Sequence, residues 1–187
     1  MLISFKKRVL SVALMSIILC GCQGKKENMS AEDYFKSAQN AYVHKNYTEA
    51  LRDYEQAGKM GIALAYDMLG VMYRDGEGVS KDDVRAMQYF KKAEEMGCIA
   101  VFKNLGLMYY EGRGVAKSNE KALEYFKKAD NLGDANSAYN LGVMYENGEG
   151  VDKNTQEAQS YFKKACNRGL NQGCESLKKL SKSPQNH

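Results

Sequence analysis

The chain has 187 residues, enough to bury a core, and its 44% hydrophobic and 27% charged residues are those of an ordinary globular protein. Its 27 basic and 23 acidic side chains give a net charge of +4, without the concentrated positive field that a grip on nucleic acid needs. One proline suits a helical chain, since proline removes an amide donor and clashes within helix interiors, and the only histidines, His44 and His187, leave no His-based triad and little room for catalytic zinc.

The N-terminus reads as a targeting segment. Lys6, Lys7 and Arg8 precede an apolar run of about 11 residues, at 9–19. A spanning helix needs about 20 apolar residues, so the run fits the core of a signal peptide instead. It ends in Leu19-Cys20-Gly21-Cys22, which resembles the lipobox of bacterial lipoproteins; an ordinary signal peptide with a chance cysteine is the alternative. The resemblance implies a signal peptide over 1–21 and acylation of Cys22, because Leu19 is too bulky for the small position before Cys20. It also implies a lipid bilayer anchor in the bacterial envelope. Gln23, where an Asp would imply retention in the inner membrane, points to the outer membrane, facing the periplasm. Loss of Lys6, Lys7 and Arg8 leaves 24 basic against 23 acidic residues, so the basicity belongs to the signal. The polar stretch 22–30 reads as a tether.

Beyond it the chain repeats every 36 residues. Leu69-Gly70, Leu105-Gly106 and Leu141-Gly142 recur at that interval, as do Met72-Tyr73, Met108-Tyr109 and Met144-Tyr145. Gly76-Glu77-Gly78-Val79 maps onto Gly112-Arg113-Gly114-Val115 and Gly148-Glu149-Gly150-Val151; Tyr89-Phe90, Tyr125-Phe126 and Tyr161-Phe162 follow. Each period reads as two helices. Phe102, Leu105 and Tyr109 have helical spacing in the first, and the Gly-x-Gly-Val turn ends it. Asp82, Ser118 and Asn154 are expected to cap the second, which closes at Gly97, Gly133 or Gly169. Mid-helix Gly70, Gly106 and Gly142 cost about 1 kcal/mol each against alanine, so they call for a close helix contact; Ala93, Ala129 and Ala165 are the expected opposite residues. The Met72, Met108 and Met144 stripe reads as core.

The pattern Leu-Gly-x-x-Tyr-x-x-Gly-x-Gly-Val, then Tyr-Phe-x-Lys-Ala and Gly, resembles the Sel1-like repeat, a relative of the tetratricopeptide repeat. Phe90, Phe126 and Phe162 stand where a Trp-Tyr pair is also common in that family. The shorter segment 31–61, with Tyr34, Ala38, Tyr47, Ala50, Tyr54 and Ala57 around a His44-Lys45-Asn46 turn, resembles the tetratricopeptide pattern itself. The implied fold is an all-α, right-handed α-solenoid of antiparallel helix pairs. Its units are a first repeat at 31–61, Sel1-like repeats at 62–97, 98–133 and 134–169, a capping helix at 170–182 with Leu177 at the Leu-Gly position, and a tail at 183–187.

Three cysteines remain after Cys20 and Cys22. The spacing of Cys166 and Cys174 resembles the disulfides of the Helicobacter cysteine-rich proteins, a branch of this family, and so implies a disulfide; two buried thiols are the alternative. Such a bond stabilises by roughly 2–3 kcal/mol on the loop-entropy model. Cys98 has no equivalent in the other repeats and reads as a half-buried thiol or an intermolecular partner.

No nucleotide-binding fingerprint is present and no cofactor is implied. Gly76-x-Gly78 and its copies lack a third glycine and a preceding strand. The cysteine-rich relatives are associated with penicillin binding and weak β-lactamase activity, which makes the Ser-x-x-Lys matches at Ser118/Lys121, Ser160/Lys163 and Ser176/Lys179 worth weighing. The Ser-Asp-Asn and Lys-Thr-Gly parts of that catalytic set are absent, and Ser118 already serves as a cap. The resemblance favours a non-catalytic scaffold that binds a protein or peptide on the concave face made by the first helices. Its inner ladder is then Asp67, Val71 and Arg74; Lys103, Leu107 and Tyr110; Tyr139, Val143 and Glu146. These positions vary between repeats while the scaffold positions hold, as a partner surface requires and as unconstrained surface positions also do.

Overall fold

A computed structural model describes residues 29–182. The signal peptide, Cys22, most of the tether and the tail lie outside the described residues. Residues 31–182 belong to one compact unit. Its helices are α1 (Ala31–Val43), α2 (Tyr47–Lys59), α3 (Ala63–Asp75), α4 (Asp83–Glu95), α5 (Phe102–Glu111, entered through a 3₁₀ turn at Ile99–Val101), α6 (Asn119–Asn131), α7 (Ala135–Asn147), α8 (Thr155–Asn167) and α9 (Asn171–Lys182). Each first helix packs on the second helix of its own pair, α1 on α2, α3 on α4, α5 on α6 and α7 on α8, and each pair packs on the next; α9 closes against α8. The expected all-α solenoid is what forms.

The turns form as their sequences dictate. Gly76, Gly112 and Gly148 end the first helices with φ of 76°, 69° and 77°, a region an L side chain enters only with strain, and their amides donate to the carbonyls of Met72, Met108 and Met144. The side chains of Asp82, Ser118 and Asn154 then accept from the amides of Arg85, Lys121 and Glu157, at 2.9, 3.3 and 3.0 Å. The backbone amides of the same three caps donate to the carbonyls of Tyr73, Tyr109 and Tyr145. Each second helix is thereby tied to the Met-Tyr end of the first. In the first repeat the turn is shorter, and Lys45 takes the positive φ of 60° that glycine takes elsewhere.

One first helix departs from the pattern. α5 begins with a 3₁₀ turn where α3 and α7 are α-helical from their first residue. Ile99 and Val101 replace Ala63 and Ala65 there. Two β-branched residues in a first turn favour the tighter winding.

Leu69, Met72 and Phe90 are fully buried, and so are Leu105, Met108, Phe126, Leu141, Met144 and Phe162. Each such side chain stabilises by about 1.5–3 kcal/mol. The mid-helix glycines correct one expectation. The group opposite each is the ring of Phe90, Phe126 or Phe162, not the alanine three residues later: a Cβ on Gly106 or Gly142 would lie 2.6 Å from the facing ring. A flat ring edge needs the missing side chain, which a small alanine does not. The first repeat uses Tyr54 at this position, fully buried, with a hydroxyl that has no hydrogen-bond partner among the described residues.

Candidate functional site: a groove across the first helices

Three consecutive repeats and the helix that follows them contribute one groove of about 720 Å³. Asp67, Val71 and Arg74 come from α3; Ala100 from the 3₁₀ turn; Lys103, Asn104 and Leu107 from α5; Asn136, Tyr139 and Asn140 from α7; Gln172 from α9. Six of the nine expected ladder residues therefore meet in it: Asp67, Val71, Arg74, Lys103, Leu107 and Tyr139. Tyr110, Val143 and Glu146 lie outside it. Tyr110 is engaged elsewhere, its hydroxyl donating to Glu149 in the following turn at 2.6 Å.

Ala100, Asn104, Asn136, Asn140 and Gln172 were not in the expected ladder. Ala100, Asn136 and Gln172 follow one another at 36 residues. They stand one helical turn before the Asp67, Lys103 and Tyr139 column, so the same face read three residues further back contains them. Asn104 and Asn140 adjoin Lys103 and Tyr139, at positions where α3 carries Met68.

One end of the groove is a closed polar network. Arg74 holds Asp75 with two bonds of 2.7 Å and donates Nη1 to Asn104 Oδ1 at 3.0 Å. Asn104 Nδ2 donates to Asp67 Oδ1 at 2.8 Å, which fixes the orientation of the amide. Asp67 is only 6% exposed. Burial raises its carboxyl above the ordinary aspartate range, opposed by the Asn104 hydrogen bond and the charges of Lys103 and Arg74. The Arg74 guanidinium beside Asp75 holds that carboxyl low. The other end of the groove is formed by the carboxamides of Asn136, Asn140 and Gln172 with the Tyr139 phenol. This surface offers hydrogen-bond donors and acceptors to an extended main chain, with Val71 and Leu107 as its apolar floor.

The candidate serines stand apart from it. Ser118 accepts from the Lys121 amide and donates to Glu120 Oε2 at 3.0 Å, while the Lys121 ammonium lies over the Tyr109 ring at 5.1 Å. Ser160 is exposed on α8 and Ser176 half-buried on α9; none of the three lines the groove. Cys98 is a free, half-buried thiol whose pKa burial raises. Cys166 and Cys174 form the disulfide, their Cα atoms 4.6 Å apart.

The disulfide occupies a position where upstream repeats use other ties. Glu94 and Asp130 precede Cys166 at intervals of 36. Glu94 accepts from Tyr125 of the next repeat at 3.2 Å, and Asp130 from Arg168 and Lys164 at 2.5 and 3.2 Å. Cys166 reaches the next helix covalently.

The repeated glycine turns and the Gly-on-Phe contact identify the unit, and the family model named Sel1 repeat matches residues 63–98, 103–134 and 135–170. The chain belongs to the Sel1 repeat family. Sel1 repeat proteins generally bind protein partners. Among solved structures, the chain is similar to a protective antigen of uropathogenic Escherichia coli that displays an SLR fold, at 28% identity and TM-score 0.75. The match covers 81% of this chain and 33% of that one. A Sel1 repeat protein from Oxalobacter formigenes matches at 29% identity and TM-score 0.71, over 76% of this chain and 58% of its own. Helicobacter pylori cysteine rich protein B matches at 30% identity and TM-score 0.52, over 68% and 96%. The chain thus spans a third of the first of these proteins and just over half of the second. No curated protein matches it in sequence.

Proposed function

We propose that this Sel1 repeat protein is a scaffold that holds an extended segment of a partner protein or peptide in the groove across its first helices, at the surface of a bacterial membrane. Its anchor is an acyl chain on Cys22, and its setting is the outer membrane, facing the periplasm. The observation that carries the reading is the groove itself. Side chains at equivalent positions of successive repeats, Ala100, Asn136 and Gln172, line one continuous surface, while the frame beneath them keeps the same Leu, Met and Phe core. Asn136, Asn140 and Gln172 suit the amides and carbonyls of an extended chain, Lys103 suits an acidic side chain, and Leu107 and Val71 suit an apolar one.

A photo-crosslinking residue in place of Tyr139, inside the groove, and in place of Ser160, exposed on a second helix, tests this in cells. Adducts specific to the Tyr139 position, lost when Lys103 and Asn136 are changed to alanine, are the expected result. Identical adducts from both positions would remove the groove from the reading. Cys22→Ser tests the anchor separately: the variant is expected to leave the membrane fraction.

A further inference from the structure

We infer that the long edge of the solenoid formed by its inter-repeat turns rests on the lipid bilayer, with exposed apolar side chains seated at the headgroup level; the inference rests on the Cys22 anchor proposed above. Within each pair the second helix returns to the edge where the first began. Ala31 and the turns following Lys59, Glu95, Asn131 and Asn167 therefore share one edge. The Gly-x-Gly turns make the opposite edge.

The two edges differ in what they expose. Among the described residues seven large apolar side chains are exposed, and five of them, Met60, Leu64, Met96, Ile99 and Leu132, are on the first edge at 38–55% exposure. Only Val43 and Val84 are on the other. Met60, Met96 and Leu132 are equivalent residues of successive repeats, so the exposure recurs at 36 residues along the edge. Ile99 and Leu132 also line one shallow depression of about 440 Å³. Clustered exposure of this kind marks an interaction surface, where single exposed side chains do not.

The chain identifies the occupant. The stretch from Cys22 to Ala31 extends at most about 30 Å, and it enters the solenoid at this same edge. The opposite edge stands further off by the length of a 13-residue helix, about 20 Å. An acyl group on Cys22 tethers the solenoid by the edge at which the chain enters it, and the apolar side chains exposed there favour that edge as the one that meets the bilayer. Of the cations near this edge, Lys128 pairs with Glu124, and Lys164 and Arg168 pair with Asp130, while Lys103 lines the depression beside Ile99 and Leu132. Contact with lipid is carried by the apolar side chains, and on a bilayer without net charge it is insensitive to salt.

The chain has no tryptophan, so Leu132→Trp and Val84→Trp each report a single position, one per edge. The acylated full-length mature protein of each variant is reconstituted in phosphatidylcholine vesicles containing lipids brominated near the headgroup. The Leu132→Trp emission is expected to shift to the blue and be quenched, equally in 0.1 and 1 M salt, while that of Val84→Trp stays unquenched. Both sites are exposed, and unchanged Tm values verify the fold. Unquenched emission from both variants on acylated protein overturns the edge contact and leaves the anchor standing. Mass spectrometry showing an unmodified Cys22 overturns the anchor and this inference with it. A blue shift at Leu132→Trp that requires added envelope protein makes the edge a protein surface and also overturns the inference.

Discussion

Gly106→Ala places a methyl group 2.6 Å from Cδ1 and Cε1 of Phe126, a ring with no solvent exposure. Ordinary carbon–carbon contact is about 3.5–4.0 Å, so α5 and α6 must separate, or the ring rotate, by about 1 Å. Phe126 is packed within the core cluster that Leu105, Met108 and Tyr125 also build, and overpacking of such a site costs about 1–3 kcal/mol. Against this stands a helix-propensity gain of about 1 kcal/mol. The net expectation is a loss of up to about 2 kcal/mol, read as a Tm lower by roughly 2–4 °C per kcal/mol for a domain of this size. The double variant Gly106→Ala with Phe126→Leu isolates the contact. Its stability should exceed the sum of the two single effects, because the smaller side chain removes the clash. A Gly106→Ala protein that melts above the wild type would mean that propensity outweighs packing, and that the Gly-on-Phe contact does not set the helix spacing.

Three other outcomes follow from the same geometry. Tyr54→Phe, which matches Phe90, Phe126 and Phe162 and removes a buried hydroxyl without a partner, should stabilise by about 1 kcal/mol in urea denaturation; a loss would reveal a partner for that hydroxyl. Cys174→Ser should cost roughly 2–3 kcal/mol, with amide protection falling in α9 while α3–α6 keep theirs, and uniform loss across the solenoid would contradict the local role. Asp67→Asn should stabilise at neutral pH, because burial raises the folded-state pKa and the wild type carries an unfavourable buried charge above it. That advantage should shrink as pH falls through the raised value and vanish below the ordinary aspartate range, so an unchanging gap between pH 7 and pH 3 would refute the assignment.

The helix pairs were legible because their signals are local and recur. A cap such as Ser118, a positive-φ glycine such as Gly112, and a core triplet such as Leu105, Met108 and Phe126 each act within a few residues. The choice between Phe126 and Ala129 as the neighbour of Gly106 was not legible. Both lie on one face of α6, three residues apart, and only the inclination of α5 to α6 decides between them. Gln172 escaped for another reason: the Gly-x-Gly-Val and Tyr-Phe motifs do not recur in α9, so this helix does not read as a repeat, yet it continues the column of Ala100 and Asn136. The cap on α7, where Asp134 accepts from the Ser137 amide at 2.6 Å, has no counterpart at Ile62 or Cys98 and so carried no periodic signal.

Variation between repeats is not by itself a mark of a partner surface. Arg74 and Tyr110 differ, and so do the middle residues of the Gly-x-Gly turns that face them, Arg113 and Glu149. Tyr110 donates to Glu149 at 2.6 Å, and Tyr42 of the first repeat donates to Glu77 at 2.7 Å. At the junction between them the pairing is Arg74 with Arg113, and two like charges cannot close the same clasp. Arg113 turns instead to Asp83 at 2.6 Å and to the Arg74 carbonyl at 3.0 Å. The Arg74 guanidinium turns to Asp75 and Asn104, and so enters the groove. The same ladder position thus serves as an inter-repeat clasp where its partner is Glu and as part of the groove lining where its partner is Arg. Whether a ladder residue belongs to the groove is decided by the turn of the following repeat, 39 residues away, which the period of 36 alone does not reveal.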